Sequence, residues 1–78
     1  MDAKITVYST PTCPYCKMAK EFLKSKNVQF EDVDVGKDSN AAREMIKKSG
    51  QMGVPVLDIN GRIIVGFEKN AIEGALNG

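Results

Sequence analysis

A β-rich run, Lys4 to Ser9 (KITVYS), passes through the turn Thr10-Pro11-Thr12 into Cys13-Pro14-Tyr15-Cys16, which opens an amphipathic, lysine-rich segment. A strand handing over to a helix through two thiols three residues apart leaves few folds open. Residues i and i+3 of a helix share a face, so these sulfurs form a dithiol/disulfide couple that closes a small ring with little backbone movement. At a helix N-terminus the first sulfur also faces unpaired N–H groups and the positive end of the dipole, which favours thiolate over thiol. Pro14 suits the first helical position, because the N–H it lacks would be an orphan there.

Two other uses of a Cys pair fit less well. A closed zinc site takes four ligands, usually Cys or His, and the chain has two cysteines and no histidine. Only metal bridging between two copies would meet that count. A structural staple works by closing a long loop, and this one would close almost nothing. Redox-active thiols are what the motif and its βα setting support.

The 78 residues are expected to form one domain, 1–78, with a single core. Eleven basic residues against ten acidic give a net charge of +1, which argues against bulk electrostatic binding to nucleic acid or a membrane. Met1-Asp2-Ala3-Lys4 enters a strand rather than a secretory apolar region, and nothing approaches a transmembrane run. A lone CxxC without a disulfide framework suits a reducing cytosol, so a cytoplasmic protein is expected.

Tyr15, Met18, Ala19, Phe22 and Leu23 recur at helical spacing and predict a helix from Cys13 to about Lys26, stopped at Asn27. Val28 to Val35 alternates with period two, slipping near Glu31-Asp32, and predicts a strand. Asp38 or Ser39 can cap a helix to about Ser49, with Ala42, Met45 and Ile46 inward and Gly50 ending it. Pro55–Ile59 and Arg62–Val65 flank Asn60-Gly61, a strong hairpin signal. A last helix is predicted from Glu68 to Leu76, with Ala71, Ile72, Ala75 and Leu76 on one face. The order βαβαββα implies an α/β fold: a right-handed βαβ crossover plus a hairpin, giving a four-stranded mixed sheet with three flanking helices.

The sequence resembles the glutaredoxins, and more closely the short bacterial glutaredoxin-like redoxins. Three motifs carry the resemblance along nearly the whole chain: Cys13-Pro14-Tyr15-Cys16, Val54-Pro55 before the hairpin, and Gly66-Phe67-Glu68 before the last helix. It implies a thioredoxin-like fold with sheet order 2-1-3-4 and a cis peptide before Pro55. It also implies thiol–disulfide exchange with glutathione or small protein partners, with glutathione as co-substrate and no tightly bound cofactor or metal. The departures bear on the reductant. Glutathione-using members carry a basic residue shortly before the CxxC, where Ser9 to Thr12 are uncharged, and they have Thr-Val-Pro where this chain has Gly53-Val54-Pro55. Gly66-Phe67 is similar to the redoxins that serve ribonucleotide reductase and draw electrons from thioredoxin reductase. An iron–sulfur or metal carrier is the remaining alternative, and Pro14 counts against it.

Within this resemblance Cys13 is the attacking thiol and Cys16, inside the helix, the resolving one. Thr12, Pro14, Tyr15, Lys17, Gln51, Gly53, Val54, Pro55, Gly66, Phe67 and Glu68 form the expected surface for glutathione or another substrate. Tyr15 either guides a thiol substrate or is an exposed helix-start residue without a role. Val54 offers backbone groups with which an extended substrate could pair. Gln51 could reach the glycyl carboxylate of glutathione, or be an ordinary loop residue. Gly66 allows a close backbone approach or a positive φ, and Glu68 complements a helix dipole. Lys17, Lys20 and Lys24 form either a solvated face or, at Lys17, an attraction for an anionic substrate. A monomer is expected, acting on glutathione, disulfide-containing proteins or both, with thioredoxin reductase as the other electron source.

Overall fold

A computed structural model of the chain describes residues 4–77. Its elements follow the expected order: β1 (Ile5–Ser9), α1 (Pro14–Ser25), β2 (Glu31–Asp34), α2 (Ser39–Ser49), β3 (Val56–Ile59), β4 (Arg62–Val65) and α3 (Lys69–Asn77). The sheet runs β2-β1-β3-β4, with β1 parallel to β2 and antiparallel to β3, and β3 antiparallel to β4. This is the mixed sheet expected from the element order, in the strand order implied by the resemblance. Among the described residues no helix is long and apolar enough to cross a membrane.

Strand alternation divides the core into two layers. Ile5 and Val7 of β1, Leu57 and Ile59 of β3 and Ile64 of β4 pack against Ala19 and Leu23 of α1 and Ile72 and Ala75 of α3. On the other face Tyr8 and Val56 meet Met45 of α2. Leu23, Leu57, Ile59 and Ile72 are essentially removed from water, each contributing roughly 1.5–3 kcal/mol of transfer free energy.

β2 is shorter than the run 28–35 predicts. Asn27 takes a left-handed φ of 58°, its N–H bonds Lys24 O, and the Val28 N–H reaches back to Leu23 O. This is a Schellman-type helix end, in which Val28 serves as the apolar residue after the cap. Val28 and Phe30 then pack on the α1/α3 layer, whereas Val33 and Val35 join the α2 layer. The slip in alternation near Glu31-Asp32 marks this change of face.

Two inward assignments, Ala42 and Ala71, also change. In α1 the buried stripe is Cys16, Ala19 and Leu23, and Tyr15 and Met18 lie in solvent. In α2, capped by the Asp38 carboxylate on the N–H groups of Asn40 and Ala41, the buried pair is Ala41 and Met45. Those two lie one turn apart facing the sheet, which leaves Ala42, about 100° round the helix, on the flank. In α3 the same rotation leaves Ala71 exposed beside buried Ile72 and Ala75. Pro55, which lacks the N–H a ladder position uses, precedes β3 rather than opening it. Asn60 (φ 55°) and Gly61 (φ 91°) form the hairpin turn, with Ile59 paired to Arg62.

Candidate active site

The end of β1 delivers the chain to the thiols. Buried Ser9 donates its hydroxyl to Asp32 Oδ1 at 2.8 Å, and Lys20 of α1 closes on Asp32 Oδ2 at 3.0 Å. Burial alone would raise the Asp32 carboxyl, but the Ser9 and Lys20 contacts outweigh it and hold it below its ordinary value. These contacts tie β1, β2 and α1 together just beneath the site loop. The Cys13 N–H then bonds Thr10 O at 3.3 Å, closing the turn.

Cys13 is the N-cap of α1, in extended conformation, and Pro14 occupies the first helical turn. The half-buried Cys13 Sγ accepts the Cys16 N–H at 3.2 Å, a contact that strengthens when the sulfur carries negative charge. Its thiol donates to Val54 O at 3.8 Å. Cys16 has no solvent exposure. Both thiols are free. Burial pushes the Cys16 thiol up to about 11, and the neighbouring Cys13 sulfur pushes the same way. The Thr10 backbone and the Lys20 charge oppose this without offsetting it.

Two loops converge on this pair. The Val54–Pro55 peptide is cis, as the resemblance implies, and the Gly66 N–H donates to Pro55 O at 2.8 Å. Gly66 has φ 82°, a conformation that L side chains rarely adopt and glycine takes freely. Cys13, Cys16, Val54, Pro55 and Gly66 are thereby brought together.

The remaining expected residues are spread around or behind that group. Thr12, Pro14 and Tyr15 flank the thiols along the chain, Tyr15 with 61% of its surface exposed. Lys17 is exposed and reaches Cys13 through its backbone, its N–H bonding Cys13 O at 3.2 Å. Phe67 turns inward, its ring edge-on to Phe22 at 6.0 Å between centroids. Glu68 is exposed at the start of α3, where its carbonyl takes the Ile72 N–H. The Gln51 carboxamide folds back on the exposed Gly53. Sequence reasoning missed this last arrangement, and nothing in the residue pattern signals it.

A second polar cluster lies on the α2 face. Lys48 Nζ bonds Asp58, Tyr8 and Glu44 at 2.9, 3.0 and 3.1 Å, and these contacts, Asp58 first, hold the ammonium well above its ordinary value. The groove beside it, about 460 Å³, is lined by neither cysteine. Glu44 and Lys48 lie one helical turn apart, at i and i+4.

Residues 5–64 match the profile of the Glutaredoxin family. The chain belongs to the glutaredoxin family. A glutaredoxin-like 8.6 kDa protein of the rubredoxin operon in Clostridium pasteurianum is 56% identical over 69 residues, spanning 88% of this chain and 92% of that protein. Glutaredoxin 3 of Escherichia coli K12 is 44% identical over 68 residues, with 85% and 80% covered. The crystal structure of a glutaredoxin from Archaeoglobus fulgidus superposes with a TM-score of 0.90 at 27% identity, over 97% of this chain and 88% of that one. Glutaredoxins are thiol–disulfide oxidoreductases, and this chain falls in that enzyme class.

The difference between the two thiols in this glutaredoxin-family site predicts selective labelling. With its pKa pushed up to about 11, Cys16 is ionised to only about 10⁻⁴ at pH 7, and it is sealed from solvent. Brief treatment of the reduced protein with iodoacetamide at pH 7 is expected to label Cys13 and leave Cys16 free. Mass mapping that finds the label mainly on Cys16 would reverse the two roles.

Proposed function

We propose that this chain reduces protein disulfides and glutathione mixed disulfides in the cytoplasm, with Cys13 attacking and Cys16 resolving. The observation that carries this is the asymmetry of the pair: Cys13 half-exposed at a helix cap, Cys16 buried and protonated behind it. The Cys13 thiolate attacks one sulfur of the substrate. A Cys13–sulfur bond forms, the substrate S–S bond breaks, and the departing thiolate takes a proton from solvent. Cys16 then loses its proton to solvent and attacks Cys13 Sγ. The second substrate thiol leaves, and a Cys13–Cys16 disulfide remains, two electrons having passed to the substrate.

The raised Cys16 pKa suits this order. Part of what holds its proton is the Cys13 sulfur. Once that sulfur is in a mixed disulfide its charge is gone, so Cys16 ionises more readily at the step that needs it. On a glutathione mixed disulfide, a second glutathione can resolve the Cys13 adduct instead. Val54, whose carbonyl stands beside Cys13, offers backbone groups to an extended substrate, with Pro55 and Gly66 forming the wall around them.

A second reading concerns the electron source. The uncharged Ser9 to Thr12 stretch and a Gln51 carboxamide engaged within its own loop both favour a dedicated redoxin recycled by a flavoprotein such as thioredoxin reductase. The oxidised protein should be offered glutathione with glutathione reductase, and separately thioredoxin reductase, following NADPH consumption. Turnover with the first supports the glutathione-linked reading and turnover with the second alone supports the dedicated redoxin. Turnover with neither would remove both electron sources.

A further inference from the structure

Residues 51 to 54 make no backbone–backbone hydrogen bond among the described residues, yet Val54 must stand still for its carbonyl to face Cys13. Side chains organise the segment instead. Ser49 Oγ, at the end of α2, shares its one proton between Met45 O at 2.7 Å and Gln51 O at 3.0 Å, and accepts the Gln51 N–H at 3.3 Å. The Gln51 carboxamide then takes both backbone groups of Gly53: Oε1 accepts the Gly53 N–H at 2.8 Å and Nε2 donates to Gly53 O at 2.9 Å. The next residue is Val54, 3.8 Å from Cys13 Sγ through its carbonyl.

Gly53 is explained by the same contact. Its φ lies outside the left-handed region, so the backbone conformation does not call for glycine. A Cβ there would sit 2.7 Å from Gln51 Oε1. Lacking one, Gly53 leaves the space the carboxamide fills. Gln51 and Gly53 thus act as a pair, linking the end of α2 to the loop residue beside the thiol.

We infer that Gln51 is a positioning residue for exchange with extended peptide disulfides, acting through Gly53 on the Val54 backbone, in a role that rests on the disulfide-reducing function proposed above. Loss of the clamp loosens the groups that align an extended substrate, whereas the Cys13 sulfur keeps the Cys16 N–H contact that holds it at the helix cap. A small reagent needing no alignment is therefore insensitive to it.

The test is single-turnover reduction of a synthetic peptide carrying an intramolecular disulfide, by the prereduced full chain, beside iodoacetamide alkylation of Cys13. Gln51→Ala is expected to slow the peptide reaction roughly 10-fold, a misplacement effect well short of the largest known, and alkylation by less than about 2-fold. Gly53→Ala, which displaces the carboxamide, should do the same, and the double variant should be no slower than either single one, as for residues acting as one unit. Amide exchange at Gly53 in the Gln51→Ala protein should speed up, reporting the lost hydrogen bond directly. Equal slowing of both reactions, additive losses, or a Gly53→Ala protein at parental rate would overturn the positioning role. An active parent matched by its variants overturns it alone, whereas a parent inert toward the peptide overturns the functional reading as well.

Discussion

A Cys13→Ser protein is expected to lose disulfide reduction altogether, on glutathione mixed disulfides and on protein disulfides alike. The loss should be on the order of 10³-fold or more, down to the rate of the reductant in solution, as for removal of other nucleophiles. Serine preserves the shape of the cap: its hydroxyl can accept the Cys16 N–H that Cys13 Sγ accepts at 3.2 Å, and Ser is a preferred N-cap. Folding should therefore survive, with a thermal midpoint near that of the parent. What disappears is the ability to form a sulfur–sulfur bond at the exposed position. Cys16 cannot take over, being sealed from solvent and protonated up to about pH 11. Dithiothreitol-driven reduction of a peptide disulfide, measured beside a melting curve, checks both halves. Activity above about a hundredth of the parent in a folded Cys13→Ser protein, far over that background, would mean that Cys16 is reachable.

The parts of this molecule that were legible in the sequence are those governed by local chemistry. Asn60-Gly61 marked the hairpin because few residue pairs tolerate two consecutive positive φ angles. Asn27 and Gly50 marked helix ends for a related reason, both taking positive φ. The CxxC spacing announced a dithiol, and its place before a helix announced which sulfur would be the cap. Val28 and Phe30 misled because an apolar residue after a helix can serve a cap and a core as well as a strand, and periodicity does not separate those uses. Ala41 against Ala42, and Ala71 against Ile72, turn on a rotation of one residue that only packing against the sheet decides.

The site divides in the same way. Cys13 and Cys16 are neighbours along the chain, whereas Cys13 and Val54 meet across 41 positions. No local pattern reports that meeting; the resemblance to a known family supplied it. The Gln51–Gly53 clamp was out of reach by either route, since it depends on one side chain turning back on its own loop.

Replacing Cys16 with serine should separate the two substrate classes. A glutathione mixed disulfide needs one enzyme thiol, because a second glutathione can attack the Cys13 adduct from solution. Cys16→Ser is expected to keep that activity within about 10-fold of the parent, since glutathione in excess replaces the internal thiol. A protein disulfide leaves a bulky adduct on Cys13, and its resolution depends on a thiol held one helical turn away at high effective concentration. Loss of that proximity should cost ~10²-fold or more. Serine also removes the buried thiol, but it keeps the Cys16 N–H that Cys13 Sγ accepts, so Cys13 should still alkylate at pH 7. The uncharged turn before Cys13 and the engaged carboxamide of Gln51 argue for weak hold on glutathione, which sets the surviving rate toward the lower end of that range. Parallel assays on a glutathionylated peptide and on a protein disulfide decide the matter. Equal loss on both would identify an obligatory dithiol enzyme, and the flavoprotein reductase rather than glutathione would then be its source of electrons.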